Sequence, residues 1–291
     1  RRLPPTVAGV ETLRAAWERA CFGPTGRFTV GRRDFATALT DPVTAPLLCA
    51  LLLARAEATD RALGEPADFA VVDVGAGTGA FLGFLAAHAP RRWALTGVER
   101  CPRPVGLDPR VGWEREVPEH RGLLLAHEWL DDVPLDVVRD GRTVLADGSL
   151  GDEHDPVWVA RWGGTEDGSA RDAAWSAATD RLTAGLALAV DYGHTRPTRR
   201  PTLTGWRNGR PVPPAFDGSC DVTAHVALDS LEGTLRWQHE VLAAVPAQVP
   251  AGDPATPQGL RRASALRALR DPDGYGGWGW VTLEKGLPSR A

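Results

Sequence analysis

The sequence predicts an α/β protein built on a doubly wound sheet, with an N-terminal helical segment and an inserted β-hairpin region. Three observations carry that expectation. Short apolar runs that read as buried strands alternate with longer stretches of helical pattern. One such run ends in an acid and enters a glycine-rich turn, Val71-Val-Asp-Val-Gly-Ala-Gly-Thr-Gly-Ala-Phe-Leu82, followed at once by an apolar helical pattern. Three polar clusters, at Asp73–Gly79, His127–Asp131 and Asp191–His194, each follow an apolar strand. In an open α/β sheet such clusters converge on the edge formed by the carboxyl ends of the strands, where ligands bind.

Taken in order, residues 1–66 are expected to form the helical segment. It holds one helix around Glu11–Ala20 and a second running from Pro42 to about Leu63, with Asp41 as cap. Residues 67–291 carry the sheet. A strand–turn–helix–strand unit occupies about 68–99. Its first strand is buried on both faces, because Phe69 to Val72 is continuous apolar sequence. Arg110–Glu114 is expected as a third strand and Gly122–Ala126 as a fourth. Over 140–163, glycines punctuate short alternating runs such as Val157–Trp162, which predicts β-hairpins. A helix over Ala170–Ala184 and a buried strand over Gly185–Val190 follow. Residues 195–219 read as a long Pro- and Arg-rich loop, expected to serve as a lid or a docking surface. Thr234–Leu242 is read as a strand, Pro257–Leu269 as a helix and Trp278–Leu283 as the last strand.

The glycine-rich turn points to a nucleotide-type cofactor. Gly75, Gly77 and Gly79 permit a sharp backbone turn and the close approach of a ligand, with Ala76 and Thr78 between them. The helix that follows offers unpaired N–H groups. Gly75-x-Gly77-x-x-Ala80 also satisfies the dinucleotide fingerprint. Asp73 favours S-adenosylmethionine (SAM), because a carboxylate suits an amino group and a sulfonium and repels a pyrophosphate. Glu99 ends the next apolar run, Trp93–Val98, and stands where either cofactor places an acid for its ribose hydroxyls.

Composition excludes other classes. The net charge of −4 argues against a general nucleic-acid surface. The longest apolar stretch, Val43–Ala54, is too short to span a bilayer, so no membrane role is expected. Cys21, Cys49, Cys101 and Cys220 form no C-x-x-C pair, which predicts reduced thiols in a cytoplasmic protein and no metal site. The chain has no Ile, a single lysine (Lys285) and a single asparagine (Asn208), a pattern of GC-rich bacterial coding. It also lacks Met, so trimming at the N-terminus is expected.

Five segments together resemble the MidA-like methyltransferase family, over about Arg27 to Lys285. They are Arg33-Asp34-Phe35-Ala36-Thr37, the glycine turn with Val98-Glu99, His127-Glu128-Trp129-Leu130-Asp131-Asp132-Val133-Pro134, Asp191-Tyr192-Gly193, and Gly218 through Val226. The resemblance implies a class I methyltransferase (Rossmann-like) fold with SAM as methyl donor. It adds Asp34 and Thr37 to the cofactor-binding candidates Asp73, Gly75, Ala76, Gly77, Thr78, Gly79 and Glu99. A eukaryotic member of the family methylates an arginine, so it also implies a protein arginine as leading acceptor. His127 stands where the family usually has Asn, and Arg33 where a glycine is common.

Candidate catalytic residues are Glu128, Asp131 and His194. An arginine acceptor arrives as a guanidinium, and a carboxylate pair clamps it and localises its charge. Glu128 and Asp131 are three apart and share a face if the chain turns helical at Glu128. Asp131 as the cap of a following helix is the alternative. His194 would accept a proton near neutral pH, or serve only as a hydrogen-bond partner. Rival functions are a small-molecule O- or N-methyltransferase, a NAD-linked oxidoreductase and a non-catalytic assembly factor. The sequence leaves the acceptor open between protein and small molecule, and the oligomeric state open as well.

Overall fold

The computed structural model describes residues 9–31, 37–243 and 256–288. The chain forms two compact units. A sheet unit takes Ala36–Leu130, Trp175–Gly193 and Leu231–Ala291; a smaller unit takes Arg1–Phe35, Asp131–Ala174 and His194–Ser230.

The sheet unit holds seven strands: β1 Phe69–Val74, β2 Ala94–Val98, β3 Val111–Glu114, β4 His120–His127, β5 Leu182–Asp191, β6 Thr234–Trp237 and β7 Gly279–Lys285. Their spatial order is β6-β7-β5-β4-β1-β2-β3. Strands β1 to β5 run parallel, and β7 runs antiparallel to both β5 and β6. This is a Rossmann-like α/β sheet with one antiparallel edge. The chain moves outward from β1 to β3 and returns to β4 on the other side, so β1 and β4 flank the switch point. The register aligns Val74 with Ala126, His127 with Val190, and Asp191 with Gly279. The ends of β1, β4 and β5 and the start of β7 therefore share one edge.

All six residues of β1 are buried, as the apolar run Phe69–Val72 leads one to expect, and Asp73 is buried with them. Alternate residues of the strands supply one core face: Phe69, Val71, Leu123, Leu125, Leu186 and Leu188. Against it lie helix Ala45–Ala62 through Leu48 and Leu52, helix Ala80–His88 through Phe81, Leu82 and Leu85, and helix Pro257–Arg270 through Leu269. Each such side chain contributes roughly 1.5–3 kcal/mol on burial. No helix connects β2 to β3 or β3 to β4. Ala70, Val72, Ala94 and Thr96 accordingly line an open groove of about 370 Å³.

The smaller unit contains helix Leu13–Phe22, capped by the Thr12 hydroxyl, and the expected hairpins, Asp136–Arg139, Arg142–Val144 and Leu150–Glu153. Arg171 is buried at its centre. Its guanidinium donates to the carbonyls of Val133 (3.0 Å), Asp131 (2.6 Å), Ala224 (2.8 Å) and His225 (2.9 Å), and lies 5.8 Å from the ring of Trp17. One charged side chain thus satisfies carbonyls from two separate segments, which apolar packing leaves unpaired.

Four expectations need correction. The helix expected from Pro42 starts at Ala45. Asp41 instead closes a local turn, accepting the Val43 N–H at 2.7 Å. Val157–Trp162 is a short helix rather than a strand, because Asp155 and Pro156 start it. Thr234–Leu242 divides into β6 and a helix over Gln238–Ala243. Residues 195–219 are not a structureless loop. Thr204–Arg207 and Arg210–Val212 form a hairpin that pairs with Asp221–Thr223. Asn208 and Gly209, at φ +51° and +71°, make its two-residue turn.

The four cysteines are buried and form no disulfide among the described residues. No helix among the described residues is long and apolar enough to cross a membrane.

Candidate active site

The glycine turn leaves β1 at the switch point. Gly75 and Ala76 donate to the Val98 carbonyl at 2.9 and 3.3 Å, which ties the turn to the end of β2. Gly75, Gly77 and Gly79 all have left-handed φ, at +71°, +55° and +70°. The first two serve different ends. A Cβ on Gly75 would lie 2.6 Å from the indole of Trp129, so this glycine makes room for a side chain, not a ligand. A Cβ on Gly77 would meet only the Gly75 carbonyl oxygen, at 3.8 Å. The open space expected for a ligand is therefore beside Gly77, next to exposed Thr78 and the start of helix Ala80–His88.

Asp73 and Glu99 lie behind this turn. Glu99 is held entirely by backbone: Oε2 accepts from Gly77 N–H at 3.0 Å, and Oε1 from Arg100 and Cys101 N–H at 2.7 and 3.1 Å. Asp73 is 4% exposed, and its carboxyl makes no hydrogen bond among the described residues. Burial, and then the Glu99 carboxylate, push its carboxyl up to about 8. A buried acid without a partner is costly unless a cation reaches it. The pair fits a cofactor that presents an ammonium near Asp73 and hydroxyls near Glu99. It fits a pyrophosphate poorly.

Beyond β4 the backbone turns sharply. Glu128 has φ +49°, and its N–H donates to the Val190 carbonyl at 2.9 Å. Leu130 N–H donates to Asp191 Oδ2 at 3.1 Å. The Glu128 side chain is 6% exposed, and its Oε1 accepts the Ala38 N–H at 3.0 Å. His127 Nδ1 stands 3.5 Å from the same oxygen. Burial drives His127 down to about 3, so this is a neutral imidazole beside a carboxylate. Aromatic rings gather at the same edge: Trp278 lies 5.5 Å from His127, 6.1 Å from Tyr192 and 4.9 Å from Tyr275.

The helical turn expected at Glu128 does not form; residues 128–135 are irregular. The spacing that paired Glu128 with Asp131 therefore has no helix to act through. Asp131 belongs to the smaller unit, where it is 2% exposed and its carbonyl accepts from Arg171. No helix follows for it to cap. His194 is also in the smaller unit. It is buried, neither ring nitrogen has a hydrogen-bond partner among the described residues, and burial followed by Arg199 lowers its pKa. A lowered pKa weakens it as a base near neutral pH. Thr37 sits in a turn, its N–H donating to the Thr40 hydroxyl at 2.8 Å. Asp34 lies outside the described residues. Sequence reasoning missed Tyr275, which feels the charges of both Asp41 and Glu128, and Trp278, which packs on His127, because only the sheet topology brings such distant positions together.

Residues 163–246 match a family model described as "Putative S-adenosyl-L-methionine-dependent methyltransferase". No curated protein matches the chain. Among solved structures, it is similar to a COG1565 superfamily member from Burkholderia thailandensis bound to S-adenosyl-homocysteine. That likeness has 21% identity and a TM-score of 0.74, and covers 97% of this chain and 89% of the other. The native crystal structure of a COG1565 superfamily protein from Burkholderia thailandensis gives the same figures: 21% identity, TM-score 0.74 and coverage of 97% and 89%. These likenesses establish the Rossmann-like methyltransferase fold. The family model matched over residues 163–246 marks the chain as a SAM-dependent methyltransferase.

Proposed function

We propose that the protein methylates the guanidinium of an arginine side chain, holding SAM with Asp73, the Gly75–Gly79 turn and Glu99, and the acceptor with Glu128. The observation that carries the acceptor assignment is the placement of Glu128. Its carboxylate is buried at the end of β4, fixed by the Ala38 N–H and set on a left-handed backbone that a glutamate adopts only at a cost. Strain of this kind is retained where a side chain must point to one place.

Bound SAM supplies an electrophilic methyl group on a sulfonium. Asp73 neutralises the cofactor's ammonium, and Glu99 accepts from its ribose while keeping the turn in place. The open space at Gly77 admits the cofactor against the backbone. Glu128 accepts hydrogen bonds from the guanidinium and draws its positive charge away from the nitrogen that faces the methyl. Methyl transfer would leave the acceptor nitrogen with one proton to lose, and Glu128 would take it. Neutral His127 raises no competing positive charge beside the site.

Glu128→Gln tests this reading. The change is nearly isosteric and removes the charge. The variant is expected to bind S-adenosyl-homocysteine normally and to lose most methyl transfer to protein. Near-normal turnover, measured with labelled SAM and separated protein and small-molecule fractions, would point to a neutral acceptor instead.

A further inference from the structure

The aromatic rings beside Glu128 have a role that follows from where they sit. Asp41 precedes helix Ala45–Ala62, Glu128 directly follows β4, Tyr192 directly follows β5, and the turn Tyr275–Gly277 leads through Trp278 into β7. Tyr275 meets Trp278 edge-on at 4.9 Å and 87°, and Tyr192 lies 6.1 Å from the same indole, tilted at 48°. Trp278 is 8% exposed and acts as the backing, whereas Tyr192 and Tyr275 are half-buried and keep open surface. Resting on the reading of Glu128 as the acceptor's carboxylate, we propose that Tyr275 and Tyr192, with Asp41 as a second acid, make this site select a guanidinium over an ammonium.

The physical argument rests on hydration and shape. A guanidinium is planar, delocalised and weakly hydrated, so it can lie on an aromatic face while its edges reach carboxylates on either side. An ammonium is compact and strongly hydrated, and it gains less from a half-dry aromatic wall. The electrostatics agree with this placement: the Tyr275 phenol is raised above its usual range by burial, then by the charge of Asp41, then by that of Glu128. Both acids therefore act on the same ring. No residue of this set was needed to hold the cofactor.

The test uses the full chain saturated with S-adenosyl-homocysteine and three small probes: Nα-acetyl-arginine methylamide, its lysine counterpart and its neutral citrulline counterpart. Binding is read by NMR titration. The unaltered protein is expected to prefer the arginine probe over both others. Tyr275→Leu should weaken the arginine probe by roughly 3- to 30-fold and flatten its preference over lysine, while Tyr275→Phe, which keeps the ring face, retains most of both. Asp41→Asn should weaken both cationic probes and leave the citrulline probe unchanged. An unaltered arginine-to-lysine ratio in Tyr275→Leu overturns the aromatic selection and leaves the Glu128 reading standing. Equal binding of arginine and citrulline probes by the unaltered protein overturns the Glu128 reading itself. If Tyr275→Leu loses S-adenosyl-homocysteine binding, Tyr192→Leu provides the same comparison and is judged by the same ratio.

Discussion

Cofactor binding should drive a proton off Asp73. The carboxyl is buried, makes no hydrogen bond among the described residues and sits near 8 because of burial and the Glu99 charge. At pH 7 it is therefore protonated in about nine molecules of ten. An ammonium about 4 Å away, at an effective dielectric near 20, is worth about 4 kcal/mol, or roughly three pH units. The bound state would then titrate well below 7, and binding at pH 7 would release most of one proton. Calorimetry with S-adenosyl-homocysteine in buffers of different ionisation enthalpy counts that proton directly. Asp73→Asn is the control, because it subtracts the ligand's own titration. Affinity should rise about tenfold per pH unit between about 5 and 8 in the unaltered protein, and stay flat in the variant. The same group sets a stability trend. Its folded pKa lies above its unfolded value, so the native state holds the extra proton between about pH 4 and 8. Stability is full below that window and falls as pH rises through it, by on the order of 5 kcal/mol, and Asp73→Asn should remove the slope. Equal proton release by the unaltered protein and Asp73→Asn would refute the placement of the ammonium beside this acid.

Three further outcomes follow from the geometry. Glu99→Ala removes the acceptor of the Gly77, Arg100 and Cys101 N–H groups, and should weaken S-adenosyl-homocysteine binding by roughly 10- to 100-fold; unchanged calorimetric affinity would remove Glu99 from the site. Gly75→Ala should destabilise the fold by roughly 2–5 kcal/mol, since it combines left-handed strain with a clash against Trp129, whereas Gly77→Ala incurs only the strain, roughly 1–2 kcal/mol; equal losses on denaturant unfolding would contradict the contact. Hydrogen exchange at Gly205 and Trp206 should be slow with and without S-adenosyl-homocysteine, because this stretch is the middle strand of a three-stranded sheet; fast exchange in the free protein would restore the lid that the Pro- and Arg-rich sequence suggests.

The sequence is most legible where the physics is local. The unit from β1 through the glycine turn to β2 announces itself by largely apolar strands, closely spaced glycines and a terminal acid, and each of these depends on residues a few positions apart. Elsewhere local signals compete. Val157–Trp162 alternates like a strand, but Asp155 and Pro156 ahead of it start a helix. Asn208-Gly209 is a strong hairpin signal, yet it was hidden in a stretch whose prolines and arginines read as loop. Glu128 and Asp131 looked like one helical face because their spacing allows it. A left-handed residue at 128 breaks that geometry, and no pattern of apolar residues foretells one. The cluster of Asp41, Glu128, Tyr192, Tyr275 and Trp278 lies beyond any sequence window, because its members meet only through the strand order.

The smaller unit is discontinuous in sequence, built from three separate stretches. The chain passes between the two units at residues 35/36, 130/131, 174/175, 193/194 and 230/231. A single proteolytic nick at any of these junctions leaves the unit tethered at the others, and no single deletion removes it. Its parts must also wait for much of the remaining chain before they can meet, so closure entropy falls on their assembly rather than on that of the β1–β2 unit. Swapping this unit between relatives would require exchanging three segments at once, and exchanging either Asp131–Ala174 or His194–Ser230 alone would put the Arg171 position and the Ala224 and His225 carbonyls in sequences of different origin.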